Sequence, residues 1–138
     1  MEVTVNLVAV LLAAISSMIV GSIWYMPQVF GKSWAKLSKV NLKDMGANPA
    51  KAYGLTLVAS LMTAYVLAHI SFLANQFFKH SLLQDTIVTA IWLWLGLTAA
   101  RLLVHDLFEN RPTKLTALNA AHELATLVVM AIVLGLVK

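Results

Sequence analysis

Cysteine is absent from the 138 residues. That excludes disulfides, thiolate chemistry, haem attachment through cysteine and zinc–thiolate sites, and it leaves the redox compartment open. Charge is scarce too: 12% of residues are charged, with six acidic against ten basic side chains. A soluble domain carries roughly a quarter charged residues, whereas this chain is 60% hydrophobic with a mean hydropathy of +0.81. Such a balance describes a membrane protein. Early basic residues are missing as well, the first being Lys32. A secretory leader needs a basic start, so the first apolar segment is expected to be retained. No Walker loop, dinucleotide fingerprint, nucleophile elbow or zincin motif occurs.

What the chain has instead is four apolar runs. Crossing a hydrocarbon layer takes about 20 mostly apolar helical residues, because lipid offers no partner to unpaired backbone groups. The runs fall at about 5–25, ending before Pro27, and about 53–73, entered through Asn48-Pro49, a cap residue with proline at the first helical position. They continue at about 86–108, after a capping-box pattern Ser81-Leu-Leu-Gln84, and about 115–137, after Arg111-Pro112-Thr113. The expectation is one all-α domain, an integral membrane four-helix bundle.

The connections between spans one and two and between three and four lie on one side and carry most of the basic residues. By the positive-inside rule both basic loops belong in the cytoplasm and both termini outside, in the inner membrane. The net charge of +4 is thereby directed at anionic lipid headgroups rather than nucleic acid. In the first loop, 28–43, Phe30, Trp34 and Leu37 share one helical face and Lys32, Lys36, Lys39 and Lys43 the other. This is the pattern of a short amphipathic helix in the headgroup layer. Its plain reading is an anchor that binds headgroups through those lysines and Trp34. The sharper one is a gate over a cytoplasmic cavity.

Small residues mark close helix contacts where lipid gives no hydrophobic drive. Ala13, Ser17 and Gly21 recur every four residues in span one. Thr56, Ser60 and Thr63 share a face of span two, Gly96 and Ala100 one of span three, and Ala117, Ala121 and Ala125, then Ala131 and Gly135, follow in span four. These are more faces than one bundle needs, and a homo-oligomer is expected.

The stretch "LNAAHELATL" (residues 118–127) puts a carboxamide, an imidazole and a carboxylate inside a span. Thr116, Asn119, His122, Glu123 and Thr126 form one stripe at helical spacing. In span three Trp94, Thr98, Arg101 and His105 form a second, with Asp106 about 100° off it. An antiparallel pair would bring Arg101 level with His122 or Glu123, with Trp24 and Tyr25 adding aromatic walls at the same end. Ionisable groups near a span centre cost at least about 2.5 kcal/mol each, so each needs a partner. Arg101 and Glu123 then form either a structural staple or a cavity in which Glu123 takes a proton or cation, Arg101 holds an anionic group or sets the carboxylate's charge state, and His105 and His122 relay protons. Metal-ligand spacing is lacking, and the sequence leaves open whether a cofactor binds.

The segments "VGSIWYMPQVFGKSW" (residues 20–34) and "LFENRPTKLTALNAAHELATLVVMAIVLG" (residues 107–135) resemble a largely bacterial family of small four-span membrane proteins, grouped as domain of unknown function seventeen-sixty-one. The resemblance implies a four-span fold and no established activity, and it makes Trp24, Tyr25, Trp34, Glu109 and Arg111 part of a family pattern. The function expected is binding or transport of a small solute or proton through the polar cluster. A non-catalytic accessory subunit of a membrane complex is the alternative, and a lipid-headgroup enzyme the last, since no nucleophile arrangement supports it.

Overall fold

A computed structural model describes residues 3–41 and 48–137, which are helical apart from short connections, with no strand among them. Helix α1 spans Leu7–Trp24. Its first amides would be unpaired in lipid, and Asn6 Oδ1 takes two of them, from Val8 at 2.9 Å and Ala9 at 3.1 Å. The helix ends just ahead of Pro27, which cannot donate to a further turn. A tight turn then leads into α2, Gly31–Ser38. Glycine is required at its start, because a Cβ on Gly31 would collide with the Tyr25 carbonyl oxygen. Lys39, with φ 58°, closes α2 in the left-handed region.

Helix α3, Pro49–Phe78, starts as its sequence predicts: Asn48 Oδ1 accepts from the Lys51 amide at 3.0 Å and Pro49 takes the first helical position. At 30 residues it is about 45 Å long, well beyond the roughly 30 Å of a hydrocarbon core. Helix α4, Leu82–Leu93, is capped by Ser81 Oγ accepting from the Gln84 amide at 3.2 Å. A π-helical segment, Trp94–Ala99, joins it to α5, Ala100–Phe108. Asn110, at φ 53°, turns the chain into α6, Thr113–Leu136.

The four long helical stretches are each long and apolar enough to cross a membrane. Outward-facing side chains agree: Phe77, Trp92, Leu97 and Phe108 are 80%, 68%, 69% and 87% exposed, a surface that water would not tolerate over four helices. This is a multi-pass membrane protein. Helix α1 packs between α3 and α6, and α4 packs between the same two from the other side, which gives a four-membered ring with α3 and α6 on one diagonal.

The tight core fills only one half of the ring, the half away from the basic loops. It is built from Ala9, Ala13 and Ala14 of α1, Ala64 and Leu67 of α3, Ala90 of α4, and Met130, Ala131 and Leu134 of α6. Alanine at these crossings lets backbones approach closely. Gly135 carries this furthest: a Cβ there would lie 2.6 Å from Leu83 Cα. In the other half, residues 49–56 of α3 are all exposed, and the helix stands away from the bundle.

The π segment overturns one expected alignment. A π turn inserts about one residue, and one residue is about 100° of helix. Everything after Ala99 is therefore rotated by about that angle from the stripe read at uniform 3.6 periodicity. Trp94 still faces inward, its Nε1 donating to the Ala120 carbonyl at 2.8 Å. Arg101 and His105 turn outward and are exposed, and Asp106 is 7% exposed in their place. No ion pair joins Arg101 to Glu123 among the described residues. The small face Gly96–Ala100 is likewise unpacked, with nothing within 4 Å of a Cβ on Gly96.

Candidate functional site

Where α3 stands away, a cavity of about 710 Å³ opens between α1, α3 and α6. Helix α1 contributes Ser17, Met18, Gly21 and Ser22, with Tyr25 just past its end; α3 contributes Tyr53, Thr56, Ser60 and Thr63; α6 contributes His122, Glu123, Thr126 and Met130; and Trp34 of α2 reaches in from the loop. The site exists because polar stripes on three helices meet where the alanine core stops.

His122 is the hub. Its side chain is 14% exposed, with Nδ1 3.3 Å from Glu123 Oε1 and Nε2 3.5 Å from Thr126 Oγ1. The ring centroid lies 5.0 Å from that of Tyr25 and 5.7 Å from that of Trp24. Gly21 makes room for this: a Cβ there would sit 3.5 Å from His122 Nε2. Glu123 is more open, its side chain 43% exposed, and it lies on the cavity wall. Tyr25 in turn meets Trp34 edge-on, with centroids 5.3 Å apart and planes at 70°. Across the cavity the Ser17 and Ser60 hydroxyls are 2.9 Å apart and tie α1 to α3.

Of the residues singled out from sequence, Tyr25, Trp34, His122 and Glu123 come together here. Trp24 stacks behind them on Phe30 at 4.5 Å. Asn119 sits one turn before His122. Trp24 Nε1 and Asn119 Oδ1 are both buried without a hydrogen-bond partner among the described residues. Arg101 and His105 are not part of the site. Lys32, Lys36 and Lys39 are exposed on the outer face of α2, whereas Trp34, grouped with them as a headgroup contact, turns toward the cavity; Lys43 lies outside the described residues. Among the described residues no group of three or more His, Asp or Glu is arranged to hold a metal.

Sequence reasoning missed Tyr53, a lone aromatic at the start of a span, and read Thr56, Ser60 and Thr63 as a packing face. Their spacing was visible, but a polar wall and a packing face have the same helical period.

The second motif of the resemblance has a structural role. Asp106 Oδ2 accepts from Thr116 Oγ1 at 2.6 Å, and the Arg111 amide donates to the Asp106 carbonyl at 2.9 Å. Arg111 Nε pairs with Glu109 at 2.5 Å and lies 3.9 Å from Asp106. These residues lock the α5–α6 turn and set the start of α6, hence the height of His122 and Glu123.

A family model described as "Protein of unknown function (DUF1761)" matches residues 8–135. The chain belongs to that family. The match takes in every side chain of the cavity and of the α5–α6 turn, so the site is part of the DUF1761 domain rather than an addition to it. No curated protein and no solved structure is similar to the chain.

Proposed function

We propose that this protein binds, and passes across or out of the bilayer, a small solute or proton held in the cavity between α1, α3 and α6. The observation that carries this reading is a cavity of about 710 Å³ in a membrane-spanning bundle, with a carboxylate and an imidazole on its wall. Such groups are costly in a span and are ordinarily kept for a pathway or site, and the volume lies within the roughly 300–1,000 Å³ of small-molecule pockets. With the basic loops in the cytoplasm of an inner-membrane protein, the cavity opens on the cytoplasmic half, and α2 is its cover through Trp34. The exposed lysines of α2 then rest on anionic headgroups. In this reading the protein is a homo-oligomer.

The test is native mass spectrometry of the protein ejected from its own membrane vesicles, wild type against Glu123→Gln. A small molecule or lipid carried by the wild type and missing from the variant is the expected result. A bare protein in both forms overturns the reading. A second reading, an accessory subunit of a larger membrane complex, is favoured by one observation: Gly96, Ala100, Ala117 and Ala121 are small, exposed and unpacked. A stoichiometric foreign subunit in the same spectra would support it.

A further inference from the structure

We propose that the ligand of this cavity is an organic cation, an ammonium or phosphonium with an apolar body, for which Glu123 is the counter-ion and Tyr25, Trp34 and Tyr53 are the aromatic walls. The proposal rests on the cavity being a binding site and adds the sign and class of what it holds.

Sign comes first. Among the described residues no Lys or Arg lines the cavity, and the one carboxylate on its wall is Glu123. Arg101, the basic residue nearest in expectation, is rotated out by the π segment. Among the described residues an anion would find no lysine or arginine on this wall.

The hydroxyls point the same way. Ser22, Thr56 and Thr63 each donate back to a carbonyl of their own helix: Met18 at 2.8 Å, Ala52 at 2.8 Å and Ala59 at 3.0 Å. With the protons so used, these oxygens offer lone pairs, and a wall of acceptors favours positive charge. The rings add to it, since the face of a tryptophan or tyrosine attracts a cation within about 6 Å. Tyr25 and Trp34, edge to face, form a corner rather than a flat stack.

Size and lining settle the body of the ligand. A bare metal ion would have His122 and Glu123 as its ligands and needs a small fraction of the space. Met18, Leu127 and Met130 form the remaining wall, and methionine adapts to irregular apolar shapes.

The experiment uses full-length protein in nanodiscs of zwitterionic lipid, with radiolabelled tetraphenylphosphonium as the cation and tetraphenylborate as an anion of near-equal size and shape, empty nanodiscs being subtracted. Saturable binding of the cation, with no comparable binding of the anion, is expected. Glu123→Gln should weaken it by about tenfold or more through loss of the counter-charge, and Trp34→Leu by a smaller factor. Glu123→Asp, which keeps the charge, should retain the preference for the cation, and this separates charge from misfolding. Val58→Ala, on an exposed face of α3 outside the cavity lining, should bind as wild type. Equal binding of both ions, unchanged binding in Glu123→Gln, or no binding of the cation would overturn the inference. A neutral or anionic molecule ejected with the wild type in the mass spectra would then leave the broader reading standing, whereas a bare protein removes both.

Discussion

The Asp106 carboxylate receives the Thr116 hydroxyl at 2.6 Å, and this pairing is possible only because the π segment turns Asp106 into the position that regular helix would have given to Arg101 and His105. Asp106 is 7% exposed and Thr116 6%, so either group left alone is an unsatisfied buried polar atom, which costs about 1–3 kcal/mol. Asp106→Ala is expected to lower unfolding stability in detergent by that amount. Asp106→Asn keeps an acceptor and should cost less. Denaturant titration of the two variants checks the order, and equal losses would mean that the negative charge, 3.9 Å from Arg111 Nε, matters rather than the acceptor, because asparagine keeps both shape and acceptor.

Two glycines make opposite predictions. Gly135→Ala places a methyl group 2.6 Å from Leu83 Cα, a backbone atom that cannot swing aside, so α6 and α4 must separate. Overpacking of this kind costs about 1–3 kcal/mol. Gly54→Ala, in α3, meets nothing within 4 Å and should be neutral or slightly stabilising, since alanine is the better helix former by about 1 kcal/mol. Thermal unfolding of both variants in one detergent measures the difference directly.

Gly21 gives a graded case. A Cβ there falls 3.5 Å from His122 Nε2, ordinary contact distance, so Gly21→Ala is expected to fold and to leave the site in place. Gly21→Leu extends into the space of the imidazole and must displace it from Tyr25 and Trp24. Ligand carried through native mass spectrometry should persist in the alanine variant and fall in the leucine variant, with stability little changed in the first.

At the opposite end of the bundle, Asp85 is 4% exposed and accepts from Asn75 Nδ2 at 2.8 Å, while His80 Nδ1 lies 3.0 Å from its other oxygen. The His80 side chain is 52% exposed, and water can replace what it gives up. Asp85→Ala is therefore expected to destabilise the α3–α4 turn more than His80→Ala does. Hydrogen exchange at 75–86 reads the local opening in each variant.

How far the structure was legible beforehand depended on whether the deciding force was local. Apolar run length gave the four spans, and Asn48-Pro49 and Ser81 marked helix starts because capping is a matter of adjacent residues. His122, Glu123 and Tyr25 were found because a polar side chain in a span is conspicuous wherever it points. Arg101 was misplaced because a helical wheel assumes unbroken 3.6 periodicity, and the π segment is accompanied by a distant contact, Trp94 to the Ala120 carbonyl, that leaves no local mark. The cavity itself was illegible: it exists because α3 leans away, and an angle between helices is written in no single stretch of chain.

The faces that the bundle leaves unpacked supply the last prediction. Gly96, Ala100, Ala117 and Ala121 are exposed, and small residues of this kind let a second backbone approach in lipid, where van der Waals packing drives association. The absence of cysteine from the chain makes the test clean, since a single introduced thiol can pair only with its own copy in another molecule. Gly96→Cys in native membranes is expected to give a disulfide-linked dimer under mild oxidation, whereas Val58→Cys, on an exposed lipid-sized residue of α3, should give much less. Equal cross-linking at the two positions would mean random collision, and monomer at both would remove the homo-oligomer from the proposed function while leaving the cavity within one chain untouched.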